Sequence, residues 1–190
     1  MAMKIIDIIN EEIRDIKYSK FPLSALFLFA KKFTNFKNFS HWFSLEHNHG
    51  YYWHLTNNKN FKVSDLIAPR DMSSLSDSNN DDYGALMITS DLEYWDEHYN
   101  TDPRTWKRDV KRNYVALFDA TNIEPENLKQ VGRGFGNEFY LDKSDAQKLK
   151  LIGVYDLKYA KQLDKKFHSV IPQTEKELYD LWKYSTYYIN

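Results

Sequence analysis

A glutamate set directly behind a glycine-rich run, Gly132-Arg133-Gly134-Phe135-Gly136-Asn137-Glu138, is the residue of this chain that most invites a chemical reading. A carboxylate placed where positive charge develops stabilises a cationic transition state, and glycines beside it mark a turn or a close backbone approach. Upstream, Tyr51-Tyr52-Trp53-His54-Leu55-Thr56 carries a histidine and a threonine, whose side chains hydrogen-bond ligand hydroxyl and amide groups. Between the two lies Gly84-Ala85-Leu86-Met87-Ile88-Thr89-Ser90-Asp91, followed by Tyr94 and Tyr99, rings able to stack on a flat ligand. Arg104, Lys107, Arg108, Lys111 and Arg112 recur at three- and four-residue spacing against a single acid, Asp109, and could hold phosphates. Each feature also has a plainer alternative. The histidine could be packed, the tyrosines could be core aromatics of an amphipathic helix, and the glycines could form a hairpin turn. Glu138 could be an ordinary strand residue, and the basic run a solvated helix face.

Other chemistries lack their signatures. His41, His47, His49 and His54 form the only ligand-rich cluster, but no acid or cysteine stands at a zinc spacing and no HExxH occurs, so no metal is expected. There is no cysteine at all, which excludes a thiol nucleophile and a disulfide framework. GxSxG, GxxxxGK[ST] and GxGxxG are absent, leaving hydrolase, NTPase and Rossmann readings unsupported. A net charge of −1 gives no overall attraction to nucleic acid or anionic membrane, so such binding would need a local patch. Acids at Asp7, Glu11 and Glu12 are wrong for a secretory signal, and the longest apolar stretch, Leu23 to Ala30, is far too short to span a bilayer. The reading is a cytoplasmic protein without a membrane partner.

The elements that must position these residues follow from periodicity. With 190 residues, 42% hydrophobic and 28% charged, the chain is long enough to bury a core and does not read as disordered. Ile5, Ile6, Ile9, Ile13 and Ile16 predict an amphipathic helix over 4–17, and Pro22 starts an apolar helix that passes into a loop holding Phe33, Phe36, Phe39, Trp42 and Phe43. Strands are expected at 51–56, 86–89, 114–118, 137–141 and 151–155, the third buried on both faces. Residues 68–82 read as a loop, and Asp145 to Lys150 as a connection or short helix. Ser90 or Asp91 caps the helix bearing Tyr94, and Asp102-Pro103 opens the basic helix. Thr174 and Glu177 form a capping box for a last helix with Leu178, Leu181 and Trp182 on its apolar side. Strands mixed with helices make the fold class α+β.

In this order, a histidine at a strand end, aromatics on a following helix and a glutamate opening a later strand resemble the diphtheria-toxin-like branch of the ADP-ribosyltransferases, over roughly residues 50 to 160. The resemblance implies a split mixed β-sheet core in a domain spanning 46–190 with a C-terminal helix, and a helical extension, 1–45, packed on it. It implies NAD as substrate and transfer of ADP-ribose to a macromolecular acceptor, protein or nucleic acid. His54 would then bond the adenosine ribose, and Thr56 with the backbone at Leu55 would meet the nicotinamide amide. Tyr99 or Tyr94 would stack on the nicotinamide ring, with Met87 an apolar contact where the family has the first of two paired tyrosines. Glu138 would bond the nicotinamide ribose and stabilise the oxocarbenium-like cation. Arg133 and Phe135 would lie in the substrate-facing turn, while Arg104 and Arg108, by their spacing rather than by the resemblance, could face the substrate and meet phosphates of NAD or of a nucleic acid. Leu55, where the family commonly has glycine, and Met87 depart from the pattern. They keep open a non-catalytic structural or interaction protein of the same fold, for instance one encoded by a virus or mobile element. A nucleic-acid-binding module built on the Arg104 to Arg112 helix is the third reading.

Overall fold

Proline at the first position of a helix gives up an N–H that has no intrahelical partner there, and helix α1 runs from Pro22 to Ala30. The computed structural model describes residues 22–45, 50–66, 86–97, 112–130 and 138–187. The expected helix at 4–17, the loop at 68–82 and the basic helix after Asp102 lie outside the described residues. After α1 the chain does not stay a loop. Asn35, in extended conformation, accepts a hydrogen bond from the Asn38 backbone at 2.9 Å and so caps a second helix, α2, Phe36–Ser44. Its buried Phe39 and Trp42 stand three residues apart on one face.

Strands β1 (Tyr51–Thr56), β2 (Leu86–Thr89) and β3 (Tyr114–Asp119) come next, with the short helix α3 (Leu92–Asp96) between the second and third. Then follow β4 (Lys129–Gln130), β5 (Glu138–Leu141), helix α4 (Lys143–Ala146) and β6 (Lys150–Asp156). Two longer helices close the chain, α5 (Leu157–Val170) and α6 (Glu175–Tyr187). At the start of α6 the capping box forms reciprocally: Thr174 Oγ1 accepts from the Glu177 backbone, and Glu177 Oε2 accepts from the Thr174 backbone, both at 3.2 Å.

The strands form one six-stranded sheet in the order β4-β5-β2-β1-β3-β6. Every pairing is antiparallel, which corrects the expectation of a mixed sheet and leaves the α+β class in place. No helix here serves as a crossover joining parallel neighbours; the helices cover the two faces instead. Among the described residues, β1 and β3 are in register over six positions and β2 and β5 over four, whereas β1 and β2 are registered at one, Trp53 opposite Thr89. Two three-stranded halves therefore meet at that pair.

Alternation along the strands sorts the core into two layers. Tyr52, Ile88, Phe118 and Phe139 face a cluster with Leu26 and Phe29 of α1, Phe39 of α2 and Leu178 and Leu181 of α6. Trp53, Leu55, Val115 and Leu117 face a second cluster with Leu92 and Trp95 of α3 and Ala160 and Phe167 of α5. β3 contributes to both, as its continuous apolar sequence requires. Helix α5, absent from the expected elements, carries an apolar stripe at helical spacing, Leu157, Ala160, Leu163 and Phe167 packing in the second cluster, with the acid Asp164 buried beside it.

Candidate functional site

The second layer brings a carboxylate, an indole and a phenol together. Thr89 is registered to both Trp53 and Glu138, so strand alternation sets these three side chains on one face, the face that α3 and α5 cover. Glu138 opens β5 with 1% of its surface exposed. Trp95 Nε1 donates to its Oε1 at 2.6 Å, a charge-assisted bond that replaces part of the hydration the carboxylate has lost. One residue earlier on α3 stands Tyr94, half-buried. Its hydroxyl titrates above the usual phenol range, first because burial disfavours the phenolate and then because the charges of Glu138 and Asp91 oppose a further negative charge.

The position of α3 is set at its first turn. Asp91 in extended conformation accepts from the Tyr94 backbone at 2.9 Å, the expected cap. The Leu92 backbone N–H instead donates across the structure to Asp164 Oδ2 of α5 at 3.1 Å. Asp164 Oδ1 accepts from Trp53 Nε1 at 2.6 Å, so one carboxylate joins β1, α3 and α5. Farther along the same two helices, Lys161 pairs with Asp96, and Lys165 with Glu93 at 3.7 Å on the surface.

His54 belongs to the alternate set of β1 side chains and is 5% exposed. Its ring packs against Phe61 at 5.5 Å and against Trp95 at 6.1 Å between centroids. Phe61 is part of the first cluster and Trp95 of the second, so His54 sits where the layers meet, one residue past the junction of the sheet halves. Trp95 thus touches both His54 and Glu138. Thr56 closes β1, its Oγ1 accepting from the Asn58 backbone at 3.1 Å in a local turn. Met87 lies in β2 with its backbone opposite Tyr140 of β5. Tyr99, Arg104, Arg108, Arg133 and Phe135 lie outside the described residues.

Compared with models of protein families, with curated protein sequences and with solved structures, the chain matches none.

Sequence reasoning singled out Glu138, His54 and Tyr94 but not the two residues that tie them in place, Trp95 and Asp164. The signal for Asp164 was present: Ala160, Asp164 and Phe167 follow one helical stripe, and an acid at its centre needs buried partners. Trp95 gave no such signal, because an aromatic on a helix most often fills the core. Among the described residues no group of three histidines or acids is arranged to hold a metal ion, and no helix is long and apolar enough to cross a membrane.

Proposed function

We propose that the chain is an ADP-ribosyltransferase-like domain that cleaves NAD at the bond between nicotinamide and ribose and passes ADP-ribose to a macromolecular acceptor. The observation that carries this reading is the Glu138 carboxylate: buried, at the first position of β5, and held by Trp95 beside Tyr94. Breaking the nicotinamide–ribose bond leaves positive charge on the ribose, and a fixed carboxylate in a poorly solvated place stabilises that charge more than water does. Tyr94 supplies a ring and a protonated hydroxyl next to the same carboxylate. Met87, Tyr99, Arg133 and Phe135 keep in this reading the parts that the resemblance gives them, and Arg104 and Arg108 the phosphate contacts; Thr56, on the side of β1 opposite Trp53 and Glu138 and engaged by the Asn58 backbone, has no part beside Glu138.

The test is labelled NAD incubated with the purified protein and a cell lysate, read as free nicotinamide and as label on macromolecules, beside Glu138→Gln. The glutamine amide oxygen still accepts from Trp95, so the variant is expected to keep its fold and lose at least about a hundredfold in turnover. Equal turnover in the two proteins would remove Glu138 from the mechanism.

A second reading, a non-catalytic interaction protein, is supported by His54. A histidine packed between Phe61 and Trp95 does the work of a core residue. His54→Ala separates the two: weakened NAD binding in a protein that stays stable supports the ligand role, and a large loss of stability with unchanged NAD affinity supports the core role.

A further inference from the structure

Asp164 is 4% exposed, yet it belongs to neither β5 nor α3 and has no part in the chemistry proposed for Glu138. Its two oxygens are divided between two elements, Oδ1 taking the Trp53 indole of β1 and Oδ2 the Leu92 N–H at the start of α3. Leu92 and Trp95 are three residues apart on a helix of five residues, so a rigid turn joins the N–H held by Asp164 to the indole held by Glu138. We infer that Asp164 is a positioning residue for the Trp95–Glu138 pair, acting through the first turn of α3. Its catalytic consequence rests on the reading of Glu138 given above; the mechanical coupling does not.

The groups around Asp164 define when the tether holds. His168, one turn on, places Nδ1 at 3.8 Å from Oδ1 and at 3.0 Å from the Asp164 carbonyl oxygen. Asp91 opposes it with like charge from the approach to α3. From α3 itself, Glu93 and Asp96 are matched by Lys165 and Lys161 of α5. Burial is the largest influence on Asp164 and raises its titration to about 6, against the His168 charge and the Trp53 and Leu92 bonds, which favour the carboxylate. Protonation near that pH weakens both bonds together.

The experiment follows the indole N–H signals of the 15N-labelled full chain between about pH 8 and pH 4. The chain has five tryptophans, assigned by single Trp→Phe substitutions. Trp53 reports Asp164 directly. The expected result is that Trp95, which Asp164 does not touch, shifts with the same midpoint, and that Trp182, bonded to the Phe33 carbonyl at 3.2 Å in the other layer, does not. Asp164→Asn should abolish the Trp53 shift and the part of the Trp95 shift that shares its midpoint, any remainder belonging to His54 and Glu138, which Trp95 also touches. His168→Gln at a half-exposed position is the gentler variant: losing the favourable charge should raise the midpoint of Trp53 and of Trp95 alike. A Trp95 signal flat through the Trp53 midpoint, or one whose transition at that midpoint survives in Asp164→Asn, would overturn the coupling. In the NAD assay, Asp164→Asn should lower kcat by about ten- to a hundredfold through misplacement. Wild-type protein without NAD turnover would refute the reading of Glu138, while the indole signals would still decide the tether.

Discussion

At the scale of single residues, Glu138 and Trp95 form one unit. A buried carboxylate lacks most of its hydration, and a donor aimed at it must replace what water gave. Trp95→Phe keeps most of the apolar volume and removes that donor, so a loss of about 1–3 kcal/mol is expected, read from the urea midpoint. The same substitution made in Glu138→Gln should cost less, because a neutral amide oxygen binds an N–H more weakly than a carboxylate does. Equal losses in the two backgrounds would mean that lost packing of the indole against His54 and its neighbours, rather than the bond, is what destabilises. Tyr94 adds the opposite constraint. With its hydroxyl pushed upward by burial and by two carboxylates, it stays protonated through mildly alkaline pH and remains a donor.

At the scale of elements, the turn into β1 makes a sharp demand. Gly50 has φ +67°, and a Cβ there would stand 2.7 Å from Cδ2 of the fully buried Phe29. Gly50→Ala is expected to lose about 1–3 kcal/mol in thermal or urea unfolding, from backbone strain and an overpacked ring that cannot withdraw. Gly153→Ala should cost less, since its Cβ would meet the Tyr155 hydroxyl at 2.9 Å, the far end of a partly exposed side chain that can swing aside. Similar losses at the two sites would refute the argument from φ and burial. Thr174→Ala should cost about 1 kcal/mol by opening the capping box of α6. These local devices are the ones a sequence displays. The aromatic and branched runs of β1, β2, β3 and β6 lie between polar stretches and can be read directly. Helices α2 and α5 also display helical spacing, Phe36, Phe39 and Phe43 in one and Leu157, Ala160, Leu163 and Phe167 in the other, although neither is among the expected elements. The order of the strands was not readable, since antiparallel neighbours β3 and β6 are joined across many residues by packing rather than by a turn. At the site, Glu138 was marked by its glycines, but its bond to Trp95 spans 43 residues and the Asp164 bonds span 72 and 111. No local pattern encodes pairs that distant.

At the scale of the whole molecule, Asp164 makes the acid side of the stability curve distinctive. A carboxylate whose folded titration lies near 6, above the ordinary 3.8, holds its proton more tightly in the folded chain than in the unfolded one. The stability it contributes is complete below about 3.8 and is lost as pH rises through about 6. The separation between about 3.8 and about 6 corresponds to an upper bound of about 3 kcal/mol between neutral solution and pH below about 3.8, of which less than half falls between pH 7 and pH 5. Asp142 acts in the reverse sense and in another window: the Ser144 hydroxyl, first among several influences, lowers its titration, so its contribution is present at neutral pH and lost as pH falls below the ordinary carboxylate range. Urea unfolding of wild type and Asp164→Asn at a series of pH values separates the two. The variant is weaker throughout, because its single carbonyl oxygen cannot serve both the Trp53 and the Leu92 donors, but subtracting its curve cancels every group the proteins share. The wild-type advantage is expected to grow as pH falls from 7 to 5. A constant difference over that interval would mean that Asp164 remains charged throughout it, held by His168 and its two donors more strongly than burial opposes them.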